Sequence, residues 1–421
     1  MHTTRTQLTH PTTLAAIAAS LACLSIAHAT DRLVPSQYST IQAAVNASVN
    51  GDRVRISTGT YNESVALLGK SIELAPATAK SQVILRAPAN QRALRFVAGE
   101  TQTCVVRGIR LIGALATGEF GGGILVDGAS PRIEQCTVDG ITWSAAAGWW
   151  RGAVDVVSGA PVFAACIFEN NGIIESTGGD GGALLVRGGS VRVEACVFRN
   201  NPFRQGADLF TVGSLPATTT LVGCRFEGVS GGGFGARIYN YGAGNGSAVV
   251  NLQDCVFEVQ PQEAISLIHG WDEVNMTRVR FAQCVVDGSP GAPGLLITQS
   301  RSLLTVVDCE FLDNNATDGL IGIDPTQGGR AEVSGTRFCG NVPAGPDFGT
   351  LILNLGDNTV QTSCCDADVT GNGSVDAIDL AALISSWGGN GSGEFDADVT
   401  NDGVVNGADL SVILDGWGAC P

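Results

Sequence analysis

The sequence predicts a right-handed parallel β-helix of about nine coils with an N-terminal helical cap, followed by a small α-helical domain. Two features of the composition favour a repeat of short strands: 56 of the 421 residues are glycine, and only 15% are charged. Ordinary globular chains carry about 7% glycine and about 25% charged residues, so helical bundles and coiled coils are excluded. The net charge of −16 argues against a nucleic-acid-binding face, which needs clustered lysine and arginine.

Residues 1–29 have the features of a secretory signal peptide. Arg5 precedes an apolar stretch from Leu14 to Ala27, and Ala27-His28-Ala29 has the form of a cleavage site. No other stretch approaches the ~20 apolar residues that a membrane-spanning helix needs. We therefore expect a secreted protein, extracellular or at the cell surface, without a transmembrane segment. Its mature chain would keep most of the 13 cysteines in an oxidising compartment.

Residues 30–103 are predicted to form the N-terminal cap and the first coils. A short amphipathic helix with a Ser/Thr N-cap runs from Ser39 to Ala47. An open β-helix end exposes unpaired backbone groups, and a helix at this position would cover them. Three strand-like runs follow, at 51–56, 59–63 and 70–74.

Residues 104–346 contain an internal repeat in which a cysteine stands between two short strands. The phrase apolar-x-apolar-x-x-Cys-x-apolar recurs about every 28 residues, with glycine clusters and asparagine corners between the strands. A left-handed hexapeptide coil needs only about 18 residues, so a strand-only coil of this length predicts a right-handed parallel β-helix. The repeated slot holds Ile109, Cys136, Cys166, Cys196, Cys224, Cys255, Cys284, Cys309 and Thr336.

The start of this region resembles the pectin-lyase-like superfamily of parallel β-helix proteins. The matching runs, at 40–45, 51–56 and 59–63, read Thr-Ile-Gln-x-Ala-Val, Gly-Asp-x-Val-x-Ile and Gly-x-Tyr-x-Glu. The resemblance extends from about Val34 to Val342. Because that superfamily contains lyases, hydrolases, esterases and inert rods, the resemblance implies the fold and leaves the activity open.

The cysteine column is predicted to be packed core. Stacked identical side chains fill narrow β-helix interiors, and free cysteine is among the most buried residue types. Two alternatives are metal or redox use and oxidation between neighbouring slots, which lie within disulfide range. A metal site needs His or Cys at short fixed spacing such as CxxC, and the chain has none. Buried, reduced thiols are therefore the favoured interpretation.

Residues 347–364 are predicted to be a linker, after which residues 365–421 change character. This segment has ten acidic residues and no lysine or arginine. Two twelve-residue blocks match at an offset of 30 residues, and each precedes an apolar helix that ends in Trp-Gly. Aspartate at positions 1 and 12 and glycine at position 6 give each block the spacing of a loop that wraps oxygen ligands around Ca²⁺. The candidate ligands of two Ca²⁺ ions are Asp368, Thr370, Asn372, Ser374, Asp376, Asp379, Asp398, Thr400, Asp402, Val404, Asn406 and Asp409.

The tandem pattern resembles a type I dockerin over the whole of residues 365–421. That resemblance implies two bound Ca²⁺ ions and docking onto a cohesin module on a scaffold or cell surface. One departure is threonine at loop position 3, where the family has Asn or Asp. The other is at positions 10 and 11, where the recognition pair is commonly Ser-Thr and this chain has Ala377-Ile378 and Gly407-Ala408. The second departure concerns the partner and not the ion.

Cys365 and Cys420 bracket the small domain, and Cys339 and Cys364 precede it. A unit of this size has little core, so a disulfide between Cys365 and Cys420 is the expected reinforcement. Cys364 then remains for Cys339, which would tie the domain to the last coil. Because Cys364 and Cys365 are adjacent, the pairing stays ambiguous at this stage.

No motif identifies catalytic residues. The strand column nearest to a possible site holds Asp155 between Leu125 and Leu185, without the pair of acids that glycosidases need. Loop corners are better candidates, because exposed tryptophan stacks on sugar rings and charged groups bind hydroxyls or uronic carboxylates. The catalytic candidates are Glu175 and Asp180, and the carbohydrate-binding candidates are Trp143, Trp149, Trp150 and Arg204, with Asp208 at a matching corner. Alternatively, the tryptophans only cover the side of the rod.

Two functions are compatible with these features. One is a secreted β-helix that binds or processes extracellular polysaccharide, with the calcium module used for attachment or stabilisation. If it is an enzyme, the resemblance implies a polysaccharide lyase or glycoside hydrolase acting on O-glycosyl bonds. The other is a non-catalytic extracellular or cell-surface rod for structure or adhesion. An acid cluster in a groove would favour the first, and a leucine-and-threonine surface without a concavity would favour the second.

Overall fold

In the computed structural model the chain winds repeatedly through three parallel sheets, and a two-helix domain follows. The structure describes residues 29–113, 122–143, 151–173, 181–201, 208–212, 215–227, 237–241, 248–258, 265–267, 273–286, 295–298, 302–316, 319–323, 328–361, 364–370, 372–390, 397–400 and 402–420. The predicted parallel β-helix with a small helical domain after it is confirmed.

Within those residues the first sheet has thirteen strands: Asp31–Val34, Arg53–Ile56, Glu73–Pro76, Val105–Arg107, Arg132–Glu134, Val162–Ala164, Gly189–Glu194, Ala217–Val222, Ala248–Gln253, Glu273–Thr277, Leu303–Val307, Arg330–Ser334 and Ile352–Asn354. The second sheet, counted over the same residues, has twelve: Gly59–Asn62, Val83–Arg86, Ile109–Ile112, Thr137–Asp139, Ile167–Glu169, Val197–Arg199, Arg225–Glu227, Val256–Glu258, Arg280–Ala282, Glu310–Leu312, Arg337–Cys339 and Thr359–Gln361.

The third sheet has ten strands in the described ranges: Val65–Ala66, Leu94–Phe96, Ile124–Val126, Arg151–Val156, Gly181–Val186, Leu209–Val212, Ile238–Tyr241, Ile265–Leu267, Leu296–Thr298 and Ile321–Ile323. Short strand pairs join Thr142–Trp143 to Gly172–Ile173, Val285–Val286 to Asn315–Ala316, and Ser374–Val375 to Gly418–Ala419. The helices are α1 (Ile41–Ala47), α2 (Ala377–Ser385) and α3 (Gly407–Asp415).

The strands form because buried and half-exposed side chains alternate along them. In Ala217–Val222 and Ala248–Gln253 every second side chain is buried, and these side chains face one continuous interior. Eight of the nine predicted slots from Ile109 to Thr336 fall at or just before strands of the second sheet, whereas Cys284 follows the strand Arg280–Ala282. Among the described residues that sheet continues by two strands before the slots and by one strand after them.

Helix α1 covers the N-terminal end of the interior, as predicted. The Thr40 hydroxyl caps it by accepting the Ala43 amide, and the Glu63 carboxylate accepts the first two helical amides at 2.8 and 3.0 Å. At the other end of the helix, Lys70 Nζ donates to three backbone carbonyls at 2.7–2.9 Å. The Glu of the opening motif therefore caps the helix, and a lysine in the next coil satisfies its last carbonyls.

The coils turn between the first and second sheets at a single left-handed residue. Gln135, Ala165 and Ala195 take this position with φ between 49° and 51°. A side chain with a Cβ pays roughly 1–2 kcal/mol there, whereas glycine adopts the conformation freely. Gly223 and Gly335 occupy the same corner in other coils, so part of the high glycine content serves these turns.

Buried asparagines line the corner that follows the second sheet. The column contains Asn171, Asn201, Asn314 and Asn341, all at most 5% exposed. Each Oδ1 accepts a backbone amide from the preceding coil, and each Nδ2 donates to a carbonyl of that coil's second-sheet strand. Asn170 and Asn200 do take the predicted left-handed turn, but their neighbours in the sequence satisfy buried backbone groups.

The cysteine column lies inside the coil, as predicted. In the described part of the chain eight cysteines are buried and belong to neither disulfide: Cys104, Cys136, Cys166, Cys196, Cys224, Cys255, Cys284 and Cys309. The Cys166 amide donates to Cys196 Sγ at 3.2 Å, so neighbouring slots are in contact. Burial raises the pKa of Cys104 to about 12 and that of Cys309 to about 11, which keeps both in the thiol form.

The assignment of Cys284 to this column is wrong. Val279 occupies the slot, because the following residue, Arg280, pairs in register with Val256 and Glu310. Cys284 lies instead in the asparagine column, where its amide donates to Asn314 Oδ1 at 2.9 Å. Both positions accept a compact buried side chain, so the sequence pattern alone does not distinguish them.

A column of phenylalanines stacks beside the cysteines. The rings of Phe168, Phe198, Phe226, Phe257, Phe281, Phe311 and Phe338 lie 4.2–5.1 Å apart, centroid to centroid, with interplanar angles of at most 21°. The Cys-x-Phe spacing explains this, because residues two apart on a strand face the same side. Offset stacking adds roughly 0.5–1.5 kcal/mol per pair to the burial of each ring.

Helices α2 and α3 enclose a small core of their own. Among the described residues, three pairs of buried side chains repeat at the offset of 30: Ala367 with Ala397, Val375 with Val405, and Leu383 with Ile413. Both expected disulfides are formed, Cys339–Cys364 and Cys365–Cys420. Arg337 of the last coils also forms an ion pair with Asp366. In the ranges that the structure describes, no helix has the length and apolar character required to cross a membrane.

Candidate functional sites

The two acidic loops of the C-terminal domain share one hydrogen-bond pattern. In the first, Asp368 accepts the amides of Asn372 and Gly373 at 3.0 and 2.6 Å. Asp379 accepts the amide and the hydroxyl of Thr370 at 2.9 and 2.8 Å. The second loop repeats these contacts 30 residues later. Each loop is thereby closed at two places: position 12 accepts from position 3, and position 1 accepts the amides of the glycine turn.

The position-12 aspartates also cap the helices that follow. Asp379 Oδ2 accepts the Asp376 amide at 2.8 Å, and Asp409 Oδ2 accepts the Asn406 amide at the same distance. Burial opposes the ionisation of both carboxyls, but the surrounding amides outweigh it and hold the pKa of each below its usual range. Both loops therefore hold a buried, ionised carboxylate at position 12.

Calcium fits this arrangement for an electrostatic reason. Asp368 and Asp398 are 7% and 6% exposed, Asp379 and Asp409 are fully buried, and residues 365–421 contain no lysine or arginine. Buried anions without a cation are costly, and a hard cation with oxygen ligands removes that cost. Among the described residues no three His, Cys, Asp or Glu side chains converge on one point. Threonine, asparagine and backbone oxygens would therefore complete each ligand set.

A second candidate site is a groove of about 770 Å³ on the outer face of the third sheet. Its lining includes Arg92, Arg95, Leu125, Asp127, Asp155 and Arg187. The strand register places Arg95, Leu125 and Asp155 in one outward column and confirms that Asp155 is level with Leu125 and Leu185. Three arginines and two aspartates give the lining a net charge of +1 in a chain of −16.

Asp155 forms the floor of this groove and is only 1% exposed. Arg187 Nε donates to its Oδ1 at 2.9 Å and Arg187 Nη2 to its Oδ2 at 3.4 Å. Arg92 Nη2 lies 3.6 Å from the same Oδ2, and Arg92 Nη1 donates to the Ile124 carbonyl at 3.5 Å. At the rim, Arg95 is exposed and forms no ion pair within the described residues.

The groove was not predicted, although the sequence contains part of its signal. The repeat aligns Asp155 with Leu125 and Leu185, and one further coil towards the N-terminus brings Arg95 into the same column. Arg92 precedes its strand and Arg187 follows its strand. Their convergence on Asp155 depends on side-chain reach across coils, which spacing does not reveal.

The loop residues predicted to bind sugar are mostly outside the described part of the chain. Trp149, Trp150, Glu175, Asp180 and Arg204 all lie there. Trp143 ends the short strand Thr142–Trp143. The convergence of these residues on one sugar site therefore stays a prediction.

Asp208 is described, and its assignment to an exposed corner is wrong. It is fully buried and ion-paired with Arg237, which is 1% exposed. Arg237 donates to the carbonyls of Phe198 and Glu227 at 3.2 and 3.0 Å. The guanidinium of Arg237 therefore satisfies buried carbonyls in this coil, as the column asparagines do in other coils, and Asp208 balances its charge.

Comparison with known proteins supports the division into two parts. Residues 366–414 match the family model of the dockerin type I domain. No curated protein matches the chain. Among solved structures it is similar to the alginate lyase from Paenibacillus sp. str. FPU-7, at 14% identity and a TM-score of 0.39, over 74% of this chain and 95% of that one.

It is also similar to the tailspike receptor binding domain of Siphovirus 9NA, at 13% identity and a TM-score of 0.23, over 78% of this chain and 76% of that one. Likenesses at these scores say nothing about ligand or activity. The family match is confined to the C-terminal segment, where the loops, the capped helices and the 30-residue symmetry have been described. The chain therefore consists of a parallel β-helix followed by a dockerin type I domain.

Proposed function

We propose that this is an extracellular protein whose β-helix binds acidic polysaccharide in the third-sheet groove and whose dockerin domain attaches it to a partner. The observation that carries the proposal is the set of three arginines around one groove in an otherwise acidic chain. Guanidinium groups bind carboxylates and sulfates through two parallel hydrogen bonds, and they remain charged at every physiological pH. A glycan that carries such groups at regular intervals matches a groove along a regular sheet.

The groove also offers surface for the apolar faces of sugar rings. Leu125 lies half-buried between Arg95 and Asp155, and Val157 lines the same groove. Polysaccharide sites combine such surface with a few polar groups that fix orientation. The rod alternative was expected to have no concavity, so the groove favours the binding function.

We place binding above catalysis in this proposal. The Asp155 carboxylate is engaged by two guanidinium groups, so the groove supports anion binding better than proton transfer. Glu175 and Asp180 remain proposed as acid–base residues, with Trp143, Trp149, Trp150 and Arg204 as a proposed sugar platform. If the protein turns over its ligand, the expected reaction is cleavage of O-glycosyl bonds by a lyase or hydrolase.

The dockerin domain is proposed to bind two Ca²⁺ ions and to dock onto a cohesin. Dockerin type I domains are calcium binders, and the buried carboxylates of both loops fit that role. In each loop the ligands would be the residues at positions 1, 3, 5, 7, 9 and 12 already named, with calcium supplying the charge that closes the loop. Exposed Ile384, Trp387, Leu414 and Trp417, all at least 50% exposed, provide apolar surface for a protein partner.

The polysaccharide proposal is tested by titration calorimetry on the full chain. The probes are hexamers of galacturonate and mannuronate, a sulfated hexasaccharide, and uncharged cellohexaose. We expect the acidic probes to bind and Arg95→Ala to weaken them about 10–100-fold, the effect of losing one charge-assisted hydrogen bond. Arg192→Ala is the matched control, because Arg192 is 49% exposed on the first sheet and pairs with Glu194.

Binding of cellohexaose with the same affinity as the acidic hexamers would contradict the charge argument. If the acidic probes still bind the Arg95→Ala variant but not a variant in which Trp143, Trp149 and Trp150 are all alanine, the site lies on the loops that carry these tryptophans. No binding to any of the four probes would favour the structural rod.

A further inference from the structure

Asp155 is an unusual residue for the floor of an anion-binding groove. On its strand, Arg151–Val156, Asp155 is level with Leu125 and Leu185 of the two neighbouring strands, and Arg95 lies one strand beyond Leu125. At 1% exposure it has no surface to offer a ligand. A buried negative charge here would repel an acidic glycan unless it does something else for the site.

The contacts of Asp155 show what that could be. Arg187 reaches it from the adjacent strand, and both its Nε and its Nη2 face the carboxylate oxygens. Arg92 approaches from the opposite direction, just before the strand Leu94–Phe96. One carboxylate therefore contacts two long, flexible side chains from different coils and limits where their guanidinium groups can lie.

We propose that Asp155 is a positioning residue for anion binding: it holds Arg92 and Arg187 in place, and the ligand contacts Arg187, whose side chain is 16% exposed, and neither Asp155 nor the buried Arg92. The inference rests on the proposed function of the groove. Arg187 donates to Asp155 through Nε and Nη2, and Arg92 Nη2 forms an ion pair with the same carboxylate at 3.6 Å. Arginines already held in place lose less conformational freedom when an anion binds.

Charge and positioning predict opposite signs for the same substitution. By charge alone, Asp155→Asn raises the net charge of the lining from +1 to +2 and should tighten the binding of an acidic glycan. By positioning, the same change releases two arginines and should weaken binding. The sign of the change in affinity therefore separates the two explanations.

The groove contains a matched control in Asp127. It is exposed, its Oδ1 accepts a hydrogen bond from the Ser158 hydroxyl at 3.0 Å, and it forms no ion pair with an arginine in the described part of the chain. Asp127→Asn changes the charge of the lining by the same amount without releasing an arginine. It should follow the charge prediction and bind an acidic glycan more tightly.

The experiment measures the affinity of the full chain for galacturonate hexamer, mannuronate hexamer and the sulfated hexasaccharide at low and moderate salt. We expect Asp155→Asn to bind about tenfold more weakly and Asp127→Asn about twofold more tightly, since a freed arginine loses its preorganisation while a lost aspartate loses only repulsion. Asp155→Glu retains the carboxylate and should recover part of the lost affinity. Melting curves of all three variants check that each is folded.

Arg187→Lys provides a second, independent reading that does not depend on the stability of the Asp155 variants. Lysine retains the charge but not the fork that faces Asp155, so we expect several-fold weaker binding. Binding of Asp155→Asn that is equal to or tighter than wild type, or an Arg187→Lys variant that binds as wild type, would overturn the positioning role alone. If the wild-type protein binds none of the three acidic probes, the proposed function is overturned and this inference with it.

Discussion

The β-helix and the dockerin domain obtain their stability in different ways. In the described residues the β-helix has one uninterrupted core, in which phenylalanine, cysteine and asparagine each form a column that repeats from coil to coil. The dockerin core consists, over the same description, of six buried apolar side chains and two disulfides near its boundaries. The larger part buries free thiols, and the smaller part uses its cysteines as cross-links.

This difference predicts which changes should destabilise each part. A coil in the middle of the β-helix packs against a coil on each side. A substitution there should therefore lower stability through lost packing, while the neighbouring coils hold the backbone in place. The dockerin domain has too few apolar contacts to compensate for its buried carboxylates, so it should depend on cations and cross-links. The following experiments test that contrast.

Calcium removal should have the largest effect, and it should unfold the dockerin domain while the β-helix stays folded. In the full chain, EDTA is expected to abolish amide-exchange protection across residues 365–421 and to leave the β-helix protected, because the dockerin segment buries four loop carboxylates and contains no lysine or arginine. Asp379→Ala and Asp409→Ala should each remove one of two calorimetric sites. Unchanged protection of the dockerin domain in EDTA would refute the dependence on calcium.

A cavity in the phenylalanine column should destabilise only the β-helix. Phe257 is fully buried and stacks on Phe226 and Phe281 at 4.2 and 4.8 Å. We expect Phe257→Ala to lower the free energy of unfolding by about 3–5 kcal/mol, measured by urea titration, without changing calcium affinity. Val256→Ala, at the half-buried neighbour, is the control and should cost much less.

Loss of the terminal disulfide should affect only the dockerin domain. Cys365 and Cys420 are 55 residues apart, and replacing both by alanine should destabilise the calcium-bound domain by about 2–4 kcal/mol, because the unfolded segment gains freedom. Replacing Cys339 and Cys364 is the comparison, since that bond joins the domain to the coils and does not close it. Equal melting shifts from the two pairs would contradict this assignment.

Acid should loosen the N-terminal cap through Asp52. Asp52 is 2% exposed and accepts the Thr30 and Val49 amides and the Arg32 guanidinium at 2.8–3.0 Å. Burial opposes its ionisation, but these donors outweigh burial and hold the pKa of Asp52 below its usual range. Its contribution is thus present above about pH 3.9 and is lost as the pH falls through the lower folded pKa.

Asp52→Asn should therefore cost about 1.5–3 kcal/mol at neutral pH, the value of hydrogen bonds to a charged group, and progressively less in acid. Urea unfolding of both proteins between pH 7 and pH 2 measures the difference. A difference that grows as the pH falls would have the wrong sign for this mechanism.

The thiol column should produce the smallest effect and a clear chemical distinction. Native protein is expected to resist thiol labelling at Cys166, Cys196, Cys224 and Cys255, all at most 1% exposed, and to react in denaturant. Cys196→Ser should cost about 1–3 kcal/mol, because its hydroxyl would need a stronger hydrogen bond than the site provides. Rapid labelling of these four cysteines in native protein would contradict their burial.

Much of the fold could be predicted from local patterns, because a β-helix repeats the same short strand-and-turn sequence in every coil. The Cys-x-Phe phrase identified the coils, and the 30-residue offset identified both loops and both capped helices. The same redundancy produced the error at Cys284: Val279 and Cys284 stand a few residues apart, and either suits a buried slot. The prediction for Asp208 was wrong for a related reason. A charged residue at a corner is usually exposed, but Asp208 is buried and its charge is balanced by Arg237, 29 residues away.

The sequence by itself determined what depends on composition and period: the coil, its cap, the acidic loops and the cysteines available for cross-links. Those features are local, because side-chain alternation, turn conformation and ligand spacing act over a few residues. The tertiary structure alone decided which long side chains meet across coils. Arg92, Asp155 and Arg187 are separated by 63 and 32 positions in the chain, and they converge only because stacking brings successive coils to within a side chain's length of one another.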